Sequence, residues 1–398
     1  MATVEVAAPP AIHHKAKAAR NFYRAELDVL RLFAFLAVFV SHSIPNSLAG
    51  KGGAAVALFL VIKDAGNFGV CLFFLLSAFL ITELLRREGE SYGRIHATAF
   101  YLRRALRIWP LYFGITIAYV VGGCFFHALR MEPGRIAAYF LLAGNWYIAW
   151  HPWIHTPLRS LWSISVEEQF YLVWPLLVYF RGIRALTKAS LALVPLSLLA
   201  IYIASSGQTY AYNTVWLNSF TQFQYFAWGA LLALALYGKI PQLPGPLRGV
   251  ACIAGISLWA LAAYAAKIKR PGVHVSSSQY CFGYLVVAAG CMLLLLAVLG
   301  LPGTRIPRWP VYLGKISFGL YVFHETAFLI VDEVQKHSSS YVPSFAVWSA
   351  HNWTTCLAIN KSLALGITVL LATCSYRYWE SPFLRIKERF TLISSREI

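Results

Sequence analysis

The sequence has few charged residues and no paired cysteine motif. Charged residues make up 13% of its 398 residues, whereas hydrophobic residues make up 59%. Soluble domains are usually about 25% charged, and a soluble globule this apolar could not cover its surface with polar groups. The same figures exclude intrinsic disorder and a secreted disulfide scaffold. The composition therefore predicts an all-α, polytopic integral membrane helical bundle.

The spacing of the cysteines and the net charge indicate which ligands and partners to expect. None of the seven cysteines is spaced as CxxC, and most lie in apolar runs, where cysteine behaves as a small hydrophobic residue. We therefore expect neither a metal site nor a structural disulfide. The net charge of +18 would suggest nucleic acid in a soluble protein. In a membrane protein, basic residues collect on cytoplasmic loops near anionic lipid, so we expect a lipid bilayer as partner and no nucleic acid.

About ten stretches are long and apolar enough to cross a bilayer, which needs about 20 residues each. They lie at 27–45, 67–85, 108–126, 163–181, 188–205, 217–237, 249–266, 278–300, 314–332 and 359–377. The stretch 136–150 is apolar but short, so we expect a re-entrant or interfacial segment. The chain thus divides into a basic tail (1–26), a transmembrane domain (27–377) and a second basic tail (378–398), which we expect to lie on the inner leaflet.

The distribution of lysine and arginine orients the predicted bundle. With residues 1–26 inside, the segments on that side hold 23 of these residues and the opposite segments hold 10. A full crossing by 136–150 would weaken this bias sharply. Because basic residues favour the cytoplasmic side, we expect both termini in the cytoplasm. The first tail lacks the apolar core that a cleaved signal peptide would contain.

The first predicted span holds two residues that are costly in lipid, Arg31 and His42. Eleven residues at about 100° each end within about 20° of three full turns, so both lie on one helix face, roughly 16 Å apart. A buried guanidinium costs at least ~2.5 kcal/mol, and Asp28, three positions before Arg31, is placed to pair with it. An arginine that reaches the interface and an interfacial histidine would explain the same pattern.

Two further clusters carry polar groups at the ends of predicted spans. Glu167 and Glu168 open the span 163–181. Acidic groups are favoured at a helix N-terminus, but Glu167 would also suit the orientation of a base in a partly dry cleft. Arg104 and Arg107 face the same way, and arginine grips phosphate well, although an anchor on the basic side explains them too.

The order of the motifs resembles the membrane acyltransferase-3 family, which transfers acyl groups onto sugars and related hydroxyls. The resemblance extends from about Glu26 to Phe383. Two positions depart from the family pattern, since Ala78 replaces a usual glycine and Gln222 replaces a usual arginine. The motifs are Leu27-Asp28 with Arg31-x10-His42, Phe73-Phe74-x-x-Ser77, Arg103-Arg104-x-x-Arg107-Ile108-x-Pro110, Trp162-Ser163-Ile164-x-x-Glu167-Glu168-Gln169-Phe170-Tyr171, Ile316-Ser317-x-x-Leu320-Tyr321-x-x-His324 and Glu380-x-Pro382-Phe383.

The resemblance implies an O-acyltransferase of the bacterial inner (plasma) membrane, of the stand-alone type without a C-terminal hydrolase-like domain. It implies acyl-CoA, with acetyl-CoA as the default, as a cytoplasmic donor, and no permanently bound cofactor. The acceptor would be a hydroxyl of a carbohydrate or glycoconjugate. Arg103, Arg104 and Arg107 would hold the CoA phosphates by charge-assisted hydrogen bonds.

The resemblance also implies roles at the other end of the predicted bundle. His42 would act as general base on the acceptor hydroxyl, with Glu167 fixing its tautomer or stabilising the imidazolium. Arg31 would position the thiol arm or steady negative charge. An acyl-histidine intermediate is an alternative to direct transfer. The candidates for substrate binding are Ser77, Trp162, Ser163, Gln169 and His324.

Two other functions fit the composition. A transporter or flippase would use Arg31, His42 and Glu167 as a proton or substrate path. It would give no reason for arginines suited to phosphate at the inner side. A non-catalytic membrane scaffold would need these intramembrane charges only for stability.

Overall fold

The computed structural model describes residues 23–45, 53–151, 156–208, 212–268 and 274–393. Within these ranges the chain is helical and contains no strand, which confirms the predicted all-α class. Most of the predicted tail 1–26 lies outside the described residues, as do residues 394–398 of the second tail.

The helices follow the predicted spans closely. Ten of the described α-helices each overlap one of the ten predicted stretches. Two π-helical segments, Ala262–Ala266 and Ser375–Glu380, extend the helices Gly245–Leu261 and Trp353–Cys374. The α-helices are α1 (Ala25–Ser43), α2 (Ala54–Gly66), α3 (Gly69–Tyr92), α4 (Ala97–Phe125), α5 (Pro133–Phe140), α6 (Gly144–Trp150), α7 (Trp162–Arg181), α8 (Arg184–Ser205), α9 (Tyr212–Trp216), α10 (Ser219–Leu236), α11 (Gly245–Leu261), α12 (Ser277–Val298), α13 (Arg308–Lys315), α14 (Ser317–Tyr341), α15 (Pro343–His351), α16 (Trp353–Cys374) and α17 (Ser381–Glu388).

The bundle is a membrane protein by the length and hydropathy of its helices. Four predicted spans, α1, α7, α10 and α14, fall outside the set that is both long and apolar enough to cross a membrane. All four bury polar side chains, among them Asp28, Gln224 and Glu325. In the described part of the chain, six stretches qualify: Ala54–Tyr92, Ala97–Phe125, Arg184–Ser205, Gly245–Ala266, Ser277–Val298 and Trp353–Glu388.

Two segments between the predicted spans have structures of their own. The stretch 136–150 forms the short helices α5 and α6 with a break between them, and neither is long enough to cross a bilayer, as predicted. No helix was predicted between the first two spans, 27–45 and 67–85. The structure instead has helix α2 from residue 54, which packs against α1 and exposes Leu58 and Phe59.

The first helix is fixed by an unusually close contact with α13. A methyl group at Gly314 would lie 1.9 Å from the carbonyl oxygen of Asp28, so only glycine permits this approach. Helix α1 also packs against α2, α3 and α14. We call the end of the bundle that holds His42 the histidine end, and the end that holds Arg103 and Arg104 the arginine end. Helix α1 runs between them.

Candidate active site

His42, in the last turn of α1, lies against two side chains of α14. Its Nδ1 atom is 2.9 Å from Nε2 of His324 and 2.9 Å from Oε1 of Glu325. The two imidazole rings stack with centroids 5.1 Å apart. His324 is fully buried, whereas the side chain of His42 keeps 24% of its surface exposed. His42 is therefore held on one side and open on the other.

The hydrogen bonds around His324 assign the tautomer of His42. Nδ1 of His324 lies 2.6 Å from the carbonyl oxygen of Tyr321, which can only accept, so this nitrogen carries a hydrogen. Nε2 of the neutral His324 ring then accepts, and Nδ1 of His42 must donate to it and to Glu325. The remaining nitrogen of His42, Nε2, is left with its lone pair, as a general base requires.

The Glu325 carboxylate is shared between His42 and Arg159. Arg159 donates from Nη2 to both carboxylate oxygens, at 2.8 and 3.0 Å, and from Nε to Oε1 at 3.0 Å. These hydrogen bonds from one guanidinium to both carboxylate oxygens fix the orientation of the Glu325 side chain. We call His42, Arg159, His324 and Glu325 the His42 cluster.

A cavity with many basic residues runs from the arginine end toward the His42 cluster. It lies between α1, α3, α4, α7, α14 and the C-terminal residues. We call it the arginine cavity. Its polar and charged lining residues are Arg24, Asp28, Arg31, Ser77, Glu88, Arg103, Arg104, Arg107, Ser163, Glu167, Tyr171, Ser317, Tyr321, Lys387, Glu388 and Thr391.

Tyr321 belongs to both the cavity wall and the surroundings of the cluster. Its hydroxyl donates to the carbonyl of Ser160 at 3.0 Å and lies 2.8 Å from the hydroxyl of Ser163. Its own carbonyl accepts from His324. His42 is not among the residues that line the arginine cavity, so Tyr321 joins the cavity wall to the cluster through its contact with His324.

Inside the cavity, two predicted site residues have partners close in sequence. Arg31 donates to Asp28 at 2.6 Å, which confirms the pairing expected from their spacing. Glu167 accepts from the hydroxyl of Tyr171, and that hydroxyl also bonds Ser77. The carboxylate expected beside His42 was Glu167, but the structure places Glu325 there and joins Glu167 to Tyr171 instead.

The three predicted phosphate-binding arginines all line the cavity, but they have different partners. Arg103 donates to Glu88 at 3.0 Å and to the carbonyl of Phe390 at 2.8 Å. Arg104 lies over the ring of Tyr171, 5.1 Å from its centroid. Arg107 lines the cavity between Arg104 and Arg31. The cluster of positive charge expected from the sequence is therefore present around a single cavity.

Two of the predicted substrate-binding residues lie elsewhere in the bundle. Trp162 is buried against Trp216 and Phe74 and is not among the residues that line the cavity. Gln169 donates to Asn145 and to the carbonyl of Leu142, at 3.0 and 2.9 Å. These bonds tie α7 to the short helix α6, which indicates a structural role for Gln169.

Glu325 and Arg159 were not predicted as site residues. Glu325 was visible only as the neighbour of His324, and Arg159 only as one of the basic residues in a predicted outer segment. Ligand atoms of His42, His324 and Glu325 lie within 4.8 Å of one another, a spacing that would admit a metal ion. Because Arg159 binds the same carboxylate, a cation at this place would have to displace a guanidinium.

Comparison with known proteins places the chain in a family. A model of an acyltransferase domain matches residues 24–379. The chain is 26% identical over 384 residues to the peptidoglycan O-acetyltransferase OatA of Listeria monocytogenes, a match that covers 90% of this chain and 56% of that protein. It is 24% identical over 384 residues to the O-acetyltransferase OatA of Staphylococcus aureus, covering 90% and 57%.

The chain thus spans a little over half the length of these curated relatives. No solved structure matches it. The family match, in contrast, extends over nearly all of the helical bundle and includes α1, α7 and α14, which carry the site residues. On this match, the chain belongs to the acyltransferase-3 family.

Proposed function

We propose that this chain is a membrane O-acyltransferase that moves an acyl group, acetyl in the first instance, from acyl-CoA to a carbohydrate hydroxyl. The observation that carries the proposal is the position of Tyr321. Its side chain lines the arginine cavity, and its carbonyl binds His324 of the His42 cluster. A donor bound in the cavity would therefore end one residue away from the base.

The arginine cavity suits the donor. The nucleotide part of acyl-CoA carries several phosphate charges, and Arg104 and Arg107 can bind them by charge-assisted hydrogen bonds. Arg31, further toward the histidine end, would lie beside the pantetheine arm. With both termini in the cytoplasm of a bacterial cell, the arginine end would open on the side where acyl-CoA is available.

His42 would begin the reaction at the acceptor. Nε2 takes the proton of the acceptor hydroxyl while the oxygen attacks the thioester carbonyl carbon. The carbon–sulfur bond then breaks, and the CoA thiolate leaves with the proton from the His42 imidazolium. Glu325 stabilises that imidazolium through Nδ1, in the role of the acid of a catalytic triad. Tyr321 and Ser163 line the cavity beside the His42 cluster, so we expect the thioester to approach His42 past these two side chains.

The acceptor is proposed as a carbohydrate hydroxyl of the cell envelope. The Listeria relative is a peptidoglycan O-acetyltransferase, so peptidoglycan is the first acceptor to test. A lipopolysaccharide sugar, an exopolysaccharide, a lipo-oligosaccharide or a macrolide sugar would present the same hydroxyl chemistry. Mass spectrometry of surface glycans from cells with and without the chain would identify the acceptor.

Acetyl transfer in proteoliposomes tests the reaction. With labelled acetyl-CoA on one side and a glycan on the other, we expect the wild-type chain to label the glycan and His42→Ala to be inactive. His42→Ala should still bind CoA, because His42 does not line the cavity. His337→Ala, an exposed histidine of α14, is the matched control. Full transfer by His42→Ala would refute the proposed base.

Donor binding separates this function from a transport path or a scaffold. We expect the double variant Arg104→Ala with Arg107→Ala to lose both CoA binding and acetyl transfer. A charge-assisted hydrogen bond contributes about 1.5–3 kcal/mol, so losing two corresponds to at least about a hundredfold weaker binding. Glycan movement across the bilayer without acyl-CoA, unchanged in this variant, would instead support a transporter.

A further inference from the structure

The wall of the arginine cavity at the arginine end is completed by residues 387–393, which we call the C-terminal segment. Lys387, Glu388, Thr391 and Ile393 all line the cavity. We predicted that this part of the chain lies on the surface of the inner leaflet. In the structure, α17 packs on α4, and the end of α17 together with the residues after it contributes to the cavity wall.

The C-terminal segment is seated by specific contacts. Arg103 of α4 donates from Nη1 to the carbonyl of Phe390 at 2.8 Å, and the hydroxyl of Tyr92 donates to the carbonyl of Leu392 at 3.3 Å. Ile393 is 6% exposed. Backbone carbonyls of the segment therefore accept hydrogen bonds from α3 and α4, and an apolar side chain closes over the contact.

These contacts change the role expected of Arg103. Its Nη2 atom donates to Glu88 at 3.0 Å, while Nη1 holds the segment. Glu88 is 2% exposed and also accepts from the backbone N–H of His96 at 2.6 Å. Arg103 is thus bound to the wall through both ends of its guanidinium, so the charge for an anionic ligand has to come mainly from other residues.

Lys387 is placed to supply that charge. It is half-buried in the cavity wall, whereas Arg385 and Arg389 on either side of it are exposed and outside the lining. Arg24 and Arg104 line the same end. Counting Lys387 and Arg103 as well, this end has four basic residues and two acidic ones, Glu88 and Glu388. It therefore keeps an excess of positive charge.

We propose that Lys387 binds a phosphate group of the nucleotide part of the acyl donor, together with Arg24 and Arg104. A lysine ammonium serves as a compact point charge for phosphate, beside the forked guanidinium of arginine. The donor's identity rests on the proposed function, but the phosphate chemistry at Lys387 does not.

Calorimetric binding to the full chain in nanodiscs tests this proposal, with CoA and with adenosine 3′,5′-bisphosphate as probes. Lys387→Gln should weaken binding of both about tenfold or more, as expected for one charge-assisted contact. Lys387→Arg keeps the charge and should retain most of the affinity. Arg385→Gln makes the same charge change on the exposed side of the helix and should bind as wild type does. Wild-type affinity in Lys387→Gln would overturn the proposal.

A second substrate separates this inference from the proposed function. S-acetylpantetheine is a thioester that lacks the nucleotide, so Lys387→Gln should raise KM for acetyl-CoA and leave KM for S-acetylpantetheine unchanged. Acetyl transfer with an unchanged KM for acetyl-CoA in Lys387→Gln would sustain the proposed function and refute the role of Lys387. Lys387-dependent binding of the bisphosphate by a chain that transfers no acetyl group would do the reverse.

Discussion

Replacing Glu325 by glutamine removes the negative charge beside His42 with little change in side-chain size. In the wild-type chain, Oε1 of Glu325 accepts from His42 at 2.9 Å and from Arg159 at 2.8 Å. A glutamine side chain can turn its NH₂ group toward Nδ1 of His42. That contact would favour the tautomer with the hydrogen on Nε2, which is the nitrogen that has to accept the proton.

The expected loss follows from two effects of this change. In a serine protease triad, replacing the aspartate by asparagine lowers kcat about 10⁴-fold, largely because the histidine takes the wrong tautomer. In this chain Nε2 of His324 also accepts from His42 Nδ1, at 2.9 Å, and so retains part of the preference for the productive tautomer. We therefore expect kcat to fall about 10²- to 10⁴-fold, or about 3 to 5 kcal/mol of transition-state stabilisation.

The assay is acetyl transfer by Glu325→Gln with kcat and KM for acetyl-CoA measured separately. Because Glu325 lies outside the cavity lining, KM for the donor should not change. Glu333→Gln is the matched control, since Glu333 lies on the same helix in an exposed pair with Lys336 at 2.6 Å. It should transfer at the wild-type rate. A loss in Glu325→Gln of less than about threefold would refute the assignment of Glu325 as the positioning residue of His42.

Two further substitutions test contacts that hold the helices around the site in place. Gly314→Ala should lower stability by about 1–3 kcal/mol or more, because the new methyl group meets the carbonyl of Asp28, whereas Gly366→Ala meets no atom within 4 Å and should be neutral in thermal unfolding. Gln169→Leu leaves the side-chain oxygen of Asn145 without its hydrogen-bond donor and should cost about 1–3 kcal/mol of stability. An unchanged melting temperature with a raised acceptor KM would show instead that Gln169 binds substrate.

Helix periodicity was sufficient to predict those parts of the site that lie along single helices. The spacing of Asp28 and Arg31 predicted their ion pair, and the spacing of Arg104 and Arg107 predicted a shared face. Such predictions hold because residues three and four positions apart meet on every regular helix, whatever the rest of the fold does.

Contacts between distant parts of the chain could not be predicted in this way. Glu325 directly follows His324, and consecutive helix residues point about 100° apart, so periodicity alone does not bring both to His42. Arg159 lies in a short turn of 3-10 helix between helices, where no repeating pattern fixes a direction. The pairing of His42 with Glu325 depends on how α1 packs against α14. This packing cannot be read from the residue pattern of either helix alone.

The C-terminal tail shows a second kind of limit. An amphipathic basic helix has the same sequence pattern whether its apolar face meets lipid or covers a cavity in its own protein. We predicted that the C-terminal tail lies on the lipid surface. In the structure, the contacts of Phe390 with α4 and of Leu392 with α3 hold the C-terminal segment against the bundle. Helix α2 is only 13 residues long, which is shorter than a membrane span of about 20 residues, so a search for spans does not find it.

Exposure distinguishes polar groups that hold the bundle together from those available for chemistry. Asn145, Gln222 and Gln224 are completely buried, and each donates to a neighbouring backbone carbonyl, as expected of polar groups enclosed by helices. Arg31 and His42 also have buried acidic partners, yet their side chains remain 19% and 24% exposed. Each of these two side chains is held on one side by a buried carboxylate and is accessible on the other. A residue that contacts a substrate has to keep such an open face, so the exposure agrees with the proposed roles of Arg31 beside the donor and His42 as the base.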